Sequence, residues 1–210
     1  MLDSEGVIKY QLTHTQRRIE ADFSITELNA WRKLLFKLGL MGQDADRYGG
    51  LGFGNISQRV AKASQQFIIT GSQTGMLSTI TPEQMTLVLA SDIYQNSLTS
   101  IGLYQPSSES LTHASLYKLD DNIQAVIHVH SPSIWRHTHN LGLPNIHAEI
   151  PYGTVEMANE VARLYQSGCL QKTLLFTMLG HEDGVVAFGN TLELAALKLI
   201  QYLALSLQLD

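Results

Sequence analysis

The chain has 210 residues, is 44% hydrophobic and 16% charged, and carries a formal net charge of −5 at pH 7. This length and composition are typical of one globular domain, and the acidic charge argues against a nucleic-acid-binding protein. The single cysteine excludes an internal disulfide and favours a reducing compartment. No apolar run is long enough to span a membrane, and the N-terminus lacks the apolar core of a signal peptide. We therefore expect a cytoplasmic protein with no membrane partner.

The predicted elements alternate irregularly between helices and strands. Capping residues and apolar residues at helical spacing predict six helices, over 24–42, from Thr81, from Pro106, over 131–139, over 156–167 and from Thr191. Apolar, β-branched runs predict four strands, over 66–70, 125–130, 173–178 and 184–189, the last two spaced as a hairpin. This order predicts an α/β fold, a three-layer α/β/α sandwich around a mixed, mainly antiparallel sheet. Residues 24–210 are assigned to this domain and residues 1–23 to an N-terminal extension. The extension is expected to form a strand or a helix that packs on the outside of the domain.

Two His-x-His pairs differ in their expected geometry. Residues i and i+2 of a strand face the same side, so His128 and His130 aim at one point, as in a metal chelate. On a helix the same spacing turns side chains apart, so His137 and His139 are expected at the surface. The spacing of His128 and His130 could also arise by chance, so the metal hypothesis needs further ligands.

Three more residues are candidates for the same site. His181 follows a buried apolar run and is the natural third ligand, and Asp183 would share its face if the strand continues. Glu109, expected in the first turn of a helix, is a candidate fourth ligand and general base, or simply an acid favoured by the helix dipole. His113, four residues further, either orients Glu109 or is a buried structural histidine.

Three short stretches of small hydrogen-bond donors suggest an anion site. Glycines allow backbone N–H groups to approach an anion, and hydroxyl and amide groups add donors. The candidates are Gly54, Asn55, Thr74, Gly75, Ser107 and Ser108. Each stretch by itself is also compatible with an ordinary turn or cap. Together with a metal site they indicate a phosphorylated sugar whose carbonyl and hydroxyl oxygens bind the metal, although a carboxylate would need the same donors.

Taken together, these motifs resemble the class II aldolase/adducin family. In family order they are Gly-Asn-Ile-Ser at 54–57, Thr-Gly at 74–75, Pro-Ser-Ser-Glu at 106–109, His113, Ile-His-Val-His at 127–130 and His-Glu-Asp-Gly at 181–184. The resemblance implies that His128 and His130 bind Zn2+ or another divalent metal, that the six loop residues hold the substrate phosphate, and that Glu109 is the base. It also implies a cyclic homotetramer with active sites between subunits.

The resemblance implies a mechanism as well. Zinc acts as a Lewis acid and stabilises the enediolate that C–C cleavage or proton loss leaves behind. The sequence is therefore expected to encode a zinc-dependent lyase of the aldolase type, acting on a small, phosphorylated hydroxy-carbonyl substrate. An epimerase, a dehydratase or a decarboxylase on the same scaffold remains open, as does a metal-free, adducin-like interaction module.

The sequence departs from the family pattern at the third ligand. The family uses the histidine of a His-Gly dipeptide, whereas here the dipeptide is Asp183-Gly184, with His181 two residues earlier. A gapless alignment places Asp183 at the ligand position. We favour His181, because imidazole suits zinc better and three histidines keep the charge of the site.

The proton donor is a second departure. The segment between His139 and Glu156 is shorter than in the family's aldolases, so the stretch that carries a catalytic tyrosine is missing. By the same resemblance, we expect the chain to lack the C-terminal tail of those enzymes. Three residues of the short segment are candidate replacements, or else ordinary polar loop residues: His147, Glu149 and Tyr152.

Overall fold

The computed structural model describes residues 6–21 and 23–210. Its strands are β1 (Gln11–Gln16), β2 (Gly42–Gln43), β3 (Gly52–Phe53), β4 (Asn55–Arg59), β5 (Phe67–Thr70), β6 (Met85–Asp92), β7 (Ser97–Gly102), β8 (Ala125–His130), β9 (Asn145–Ile146), β10 (Leu175–Met178) and β11 (Gly184–Gly189). Its helices are α1 (Thr26–Lys37), α2 (Ser110–Leu119), α3 (Pro132–Arg136), α4 (Val155–Gln166), α5 (Cys169–Thr173) and α6 (Leu192–Ser206). No helix in this described part of the chain is long and apolar enough to cross a membrane.

Nine strands form one sheet, in the order β1-β7-β6-β5-β4-β8-β11-β10-β9. The two outermost pairs, β1 with β7 and β9 with β10, are parallel, and all other neighbours are antiparallel. The sheet is therefore mixed and mainly antiparallel, as predicted. Strands β2 and β3 form a separate ribbon beside it.

Helices cover both faces of the sheet. The core on one face contains Leu111 of α2 and Val161 of α4, and the core on the other contains Leu35 of α1 and Leu199 of α6. Successive residues of the central strand β8 enter the two cores alternately, because strand side chains alternate between faces. The predicted three-layer α/β/α sandwich is confirmed.

Two predicted helices in the first half of the chain differ from the observed elements. The first ends at Lys37 rather than at residue 42, because Gly39 adopts a φ of 70° and turns the chain into β2. Its N-cap is Ile25 rather than Ser24, the first residue of the predicted range, and no side chain caps the helix there. The helix predicted from Thr81 is a single 3-10 turn, Pro82–Gln84, in which the Thr81 N–H donates to Gln84 Oε1 at 2.7 Å. The chain then continues as β6, which pairs with β5 and β7 on its two sides.

The region before residue 24 contributes to the sheet. Residues 11–16 form β1, a strand rather than a helix, which pairs with β7 along its whole length. Tyr10, just before it, is 5% exposed and belongs to the same core as α2 and α4. The assignment of 1–23 as an extension separate from a 24–210 domain stays a prediction.

Candidate metal centre

Three histidines meet at the end of the central strand. His128 and His130 lie on the same face of β8, with ring centroids 4.9 Å apart, and His181 comes from the turn between β10 and β11. One ring nitrogen from each lies within 4.8 Å of the others, and the Nε2 atoms of His130 and His181 are 3.2 Å apart. All three side chains are buried. Strand spacing and turn geometry thus bring together the predicted trio of imidazoles.

The register of the sheet delivers His181 to the cluster. Strands β8 and β11 are antiparallel, and Gly184 pairs directly with His130. The preceding turn is tight: the His181 N–H donates to the Met178 carbonyl, and the Gly184 N–H donates to the His181 carbonyl. A Cβ atom on Gly184 would lie 2.7 Å from His181 Cδ2, so only glycine leaves room for the ring.

The donor set fits a divalent cation. His128 Nε2 and Glu109 Oε1 are buried and have no hydrogen-bond partner among residues 6–21 and 23–210. A buried polar atom without a partner is costly, and imidazole nitrogens with a carboxylate oxygen are typical zinc ligands. A cation bound by these atoms would satisfy them.

Burial keeps the histidines in the form that binds metals. It lowers the pKa of His128 to about 4 and the pKa values of His130 and His181 well below their usual range. The charges of neighbouring histidines lower the last two further. All three rings are therefore neutral at pH 7, with lone pairs available for a metal.

Glu109 lies beside the cluster, at the N-cap of α2 rather than in its first turn. Its Oε1 is 3.9 Å from His181 Nε2, and its Oε2 accepts a 2.8 Å hydrogen bond from Thr112 Oγ1. Burial raises the pKa of Glu109 to about 7, opposed by the Thr112 hydrogen bond and by the positive charge of Lys9. A carboxyl group that titrates near neutrality is suited to accept and return a proton.

His113 does not orient Glu109, which Thr112 holds instead. The His113 Nδ1 atom lies 2.7 Å from Ser57 Oγ on β4, and the same hydroxyl lies 2.7 Å from the Tyr117 hydroxyl. These contacts agree with the alternative expectation that His113 is a buried structural histidine.

Asp183 lies outside the histidine cluster. The apolar strand ends at Met178, so the strand face that Asp183 and His181 would have shared does not exist. Asp183 has a φ of 61°, and its Oδ2 accepts a 2.6 Å hydrogen bond from the Tyr48 hydroxyl, with Arg47 Nη2 at 3.5 Å. The structure therefore brings His181, and not Asp183, to the other two histidines.

The six predicted anion-binding residues line one narrow cavity, together with Gly6 and the loop 71–73. The backbone there is closely packed, since a Cβ on Gly75 would lie 2.5 Å from the Gly42 carbonyl oxygen. Arg32 of α1 lies buried beneath this loop and donates to the carbonyl oxygens of Thr74 and Leu77, at 2.6 and 2.9 Å. Arg32 therefore places a positive charge behind the cavity.

Of the candidate proton donors, only Tyr152 reaches the cluster. Its ring centroid lies 4.6 Å from that of His181, and its hydroxyl donates to the Val7 carbonyl at 3.1 Å. His147 and Glu149 are exposed and 3.9 Å from each other.

The second His-x-His pair also lies apart from the cluster. The short helix α3 ends before it, so His137 is the C-cap residue and only the first part of the predicted helix over 131–139 forms. His137 Nε2 lies 3.0 Å from Asp210 Oδ1, near the C-terminus.

Several residues of the site were not among the candidates indicated by the sequence. Tyr48 packs edge-on against His130, with ring centroids 4.5 Å apart, and Phe53 packs against the same ring at 5.5 Å. Lys9 places its Nζ 3.9 Å from the centroid of the Tyr152 ring. Neither Lys9 nor Arg32 belongs to any motif that would have pointed to the site.

Comparisons with known proteins agree with this geometry. A family model of the Class II Aldolase and Adducin N-terminal domain matches residues 44–208. Among solved structures, L-fuculose-1-phosphate aldolase from Thermus thermophilus shares 21% identity, with a TM-score of 0.58 over 86% of this chain and 90% of that one. Sugar-phosphate aldolase from Thermotoga maritima shares 17% identity, with a TM-score of 0.64 over 88% and 94%.

A third similar structure is the N-terminal class II aldolase domain of a conserved protein from Thermoplasma acidophilum. It shares 18% identity, with a TM-score of 0.61 over 93% of this chain and 98% of that one. At these identities the structural likeness supports the fold, while the family model covers most of the chain and all the predicted ligand and loop residues. The resemblance drawn from the motifs is confirmed: the chain belongs to the class II aldolase and adducin family.

Proposed function

We propose that the chain is a metal-dependent lyase of the class II aldolase type. It would cleave or form a C–C bond in a small, phosphorylated hydroxy-carbonyl compound. The observation that carries this proposal is the three-histidine cluster with the buried Glu109 carboxylate beside it. An interaction module without a metal would have no need to bury these groups together.

His128, His130 and His181 would hold the metal, for which zinc is the best fit to three imidazoles. Bound there, a divalent cation supplies Lewis-acid polarisation of a carbonyl oxygen. Glu109 would be a fourth ligand in the absence of substrate. When substrate occupies the site, the Glu109 carboxylate would leave the metal and transfer protons to and from the substrate.

Glu109 would serve as the general base. Its pKa of about 7 leaves a large fraction ionised at neutral pH, and its position 3.9 Å from His181 places it at the edge of the cluster. For cleavage it would take the proton of the substrate hydroxyl group, so that the C–C bond breaks as a carbonyl forms. Thr112 would hold the carboxylate in place through its 2.8 Å hydrogen bond.

The narrow cavity would hold the substrate phosphate. Its predicted donors are the backbone and side chains of Gly54, Asn55, Thr74, Gly75, Ser107 and Ser108. The buried guanidinium group of Arg32 supports an anionic ligand, because its charge lies directly behind the Thr74 carbonyl. A carboxylate would meet the same donors, so the nature of the anion is part of the proposal.

Metal analysis of purified protein tests the centre. Wild type is expected to bind one zinc ion per chain, and His128→Ala and His181→Ala are each expected to lower the affinity by more than about 100-fold, since even outer-shell changes cost 10- to 100-fold. Asp183→Asn should keep the metal, because Asp183 faces Tyr48. His137→Ala is the matched control from the second His-x-His pair. A wild-type protein that binds no divalent metal, or a His128→Ala variant that binds it unchanged, would contradict the proposal.

Epimerase or dehydratase chemistry is the second candidate. One buried carboxylate with a near-neutral pKa is suited to removing a proton beside a carbonyl and returning it, which these reactions require. The products distinguish the candidates: cleavage gives two carbonyl fragments, epimerisation gives an isomer, and dehydration gives a deoxy-ketone.

We further propose a cytoplasmic homotetramer with a small molecule as its substrate. The family membership supports an oligomer and a small-molecule substrate, and the single cysteine supports a reducing compartment. Light scattering coupled to gel filtration would give the mass of the assembly, and a monomer would contradict the tetramer.

A further inference from the structure

The segment 6–10, which precedes β1, runs along the site. Gly6 lines the narrow cavity with the predicted phosphate-binding residues. Tyr10 is buried and donates from its hydroxyl to the Ser107 carbonyl at 2.8 Å. Between them, the Lys9 carbonyl accepts a 2.9 Å hydrogen bond from Asn96 Nδ2. These contacts fix the segment beside both the cavity and the start of α2.

Lys9 extends from this segment toward the histidines. A Cβ atom on Gly153 would lie 3.6 Å from both Lys9 Cβ and the Ser108 carbonyl oxygen, so the base of the Lys9 side chain is close to the serine loop. Its Nζ lies 3.9 Å from the centroid of the Tyr152 ring, and the centroid of the His181 ring lies 4.6 Å from that of Tyr152. The side chain therefore spans the space between the narrow cavity and the histidine cluster.

The charge of Lys9 acts on the site. After burial, it is among the causes that lower the pKa of His181, and it opposes the rise in the pKa of Glu109. The charge of Arg47 also lowers the pKa of His130, and its Nη2 atom is 3.5 Å from the Asp183 carboxylate. Arg32 donates to backbone carbonyls behind the cavity. Lys9 thus places its positive charge beside the Tyr152 ring, where it acts on both His181 and Glu109.

We propose that Lys9 contacts the substrate directly and binds a negatively charged oxygen at the carbonyl end of the substrate. The proposal rests on the function proposed above, and it deepens that function by naming the substrate class. The ligand would carry two separated anionic groups. One is a phosphate or similar group in the narrow cavity, and the other is a carboxylate, or an oxygen that gains charge during the reaction, next to the metal ligands.

Binding of three probes to the zinc-loaded protein tests this. Phosphoglycolohydroxamate mimics a substrate whose carbonyl-end oxygen gains charge, phosphoglycolate carries a permanent carboxylate there, and inorganic phosphate has no second group. Lys9→Met is expected to weaken the binding of phosphoglycolohydroxamate, phosphoglycolate or both by about 10- to 100-fold, because the loss of one charged hydrogen bond changes an affinity by about this factor. Phosphate binding should change less than about threefold. The probe that loses more affinity identifies the source of the charge.

Two variants and a metal assay control the experiment. Lys9→Arg keeps the charge and should retain most of the affinity. Lys62→Met removes an exposed lysine in the turn after β4, at the opposite end of that strand from Asn55, and should bind like wild type. Zinc content must be equal in all variants, which separates a loss of anion binding from a damaged metal centre.

The outcomes separate this inference from the proposed function. If wild type binds zinc and the hydroxamate, and Lys9→Met binds all probes equally well, only the role of Lys9 is overturned. If Lys9→Met weakens phosphate as much as the other probes, Lys9 acts at the phosphate end and the inference is wrong. If wild type binds neither zinc nor any probe, both the inference and the proposed function fail.

Discussion

Glu109 combines burial with a position next to three neutral imidazoles. An exposed glutamate would be ionised at pH 7, but here burial raises the pKa from 4.5 to about 7. A group whose pKa is higher in the folded than in the unfolded protein contributes stability that is fully present below the unfolded pKa. That stability is lost as the pH rises through the folded pKa. Glu109 should therefore destabilise the metal-free protein in a defined pH range.

Glu109→Gln should remove this pH dependence. Between pH 4.5 and about 8, the free energy of unfolding of metal-free wild type should fall by about 3 kcal/mol relative to the variant, from 1.36 kcal/mol per pKa unit. Urea denaturation at several pH values, in the presence of a chelator, measures the difference. Glu156→Gln, which removes an exposed carboxylate from the first turn of α4, is the control. A constant difference between wild type and Glu109→Gln would contradict the buried, near-neutral carboxyl group.

The sequence revealed the histidines, Glu109 and Tyr152, but not the contacts that surround them. His128 and His130 share a strand, so local spacing predicted their common face. Contacts such as Tyr48 with Asp183, 135 residues apart, or Tyr152 with Val7, 145 residues apart, leave no local pattern to recognise. Lys9 was missed for the same reason. Side chains from distant segments enter a site only once the sheet order is known.

The turn between β10 and β11 is the element that delivers the third histidine. It works because Gly184, at the first position of β11, has no Cβ to collide with the imidazole ring. The sequence pattern left open whether the strand before this turn continues, and the case for Asp183 as a ligand beside His181 depended on that point. Knowledge of where β10 ends would have resolved the geometry.

Gly184→Ala should weaken metal binding without changing a ligand. The new methyl group would lie 2.7 Å from His181 Cδ2, so the ring must move and the zinc affinity should fall by about 10- to 100-fold, as for other changes that misorient a ligand. Gly189→Ala, at the other end of the same strand, places its methyl group 3.2 Å from the Leu194 side chain, away from the histidines, and serves as the control. Competition with a zinc chelator measures both affinities, and equal values would show that His181 is not held by this turn.

Elements were predicted well where one pattern dominated. The buried run of β8 and the amphipathic α4 both appear near their predicted positions. Thr81 and Pro82 carried a helix-start signal, but the residues after them have β-branched, apolar character and pair on both sides as β6. The pairing of a strand with two neighbours outweighs a local cap, and no sequence window contains those neighbours.

At the scale of the whole molecule, the proposed metal centre joins separate parts of the chain. His128 and His130 come from the central strand, His181 from a turn 51 residues after His130, and Glu109 from the start of α2. A cation bound to these groups binds the folded state alone, because the unfolded chain does not hold them together.

Zinc should therefore raise the melting temperature. At a free concentration about 1,000 times the dissociation constant, the stabilisation is about 4 kcal/mol, which for a domain of this size corresponds to about 10 °C. Thermal unfolding followed by circular dichroism, with zinc and with chelator, measures the shift. His128→Ala should show almost none of it. A wild-type melting temperature that does not respond to zinc would argue against a centre built from these histidines.

The nine-stranded sheet is open, and its two edge strands differ in the features that disfavour pairing with a further strand. At one border β9 has only two residues, which leaves little backbone for a neighbouring chain to pair with. At the other, β1 carries the polar sequence Gln-Leu-Thr-His-Thr-Gln, with most of its side chains in water. Short or polar borders disfavour edge-to-edge association. We therefore expect subunits of this protein to assemble through surfaces other than continuous pairing of the strands β1 or β9.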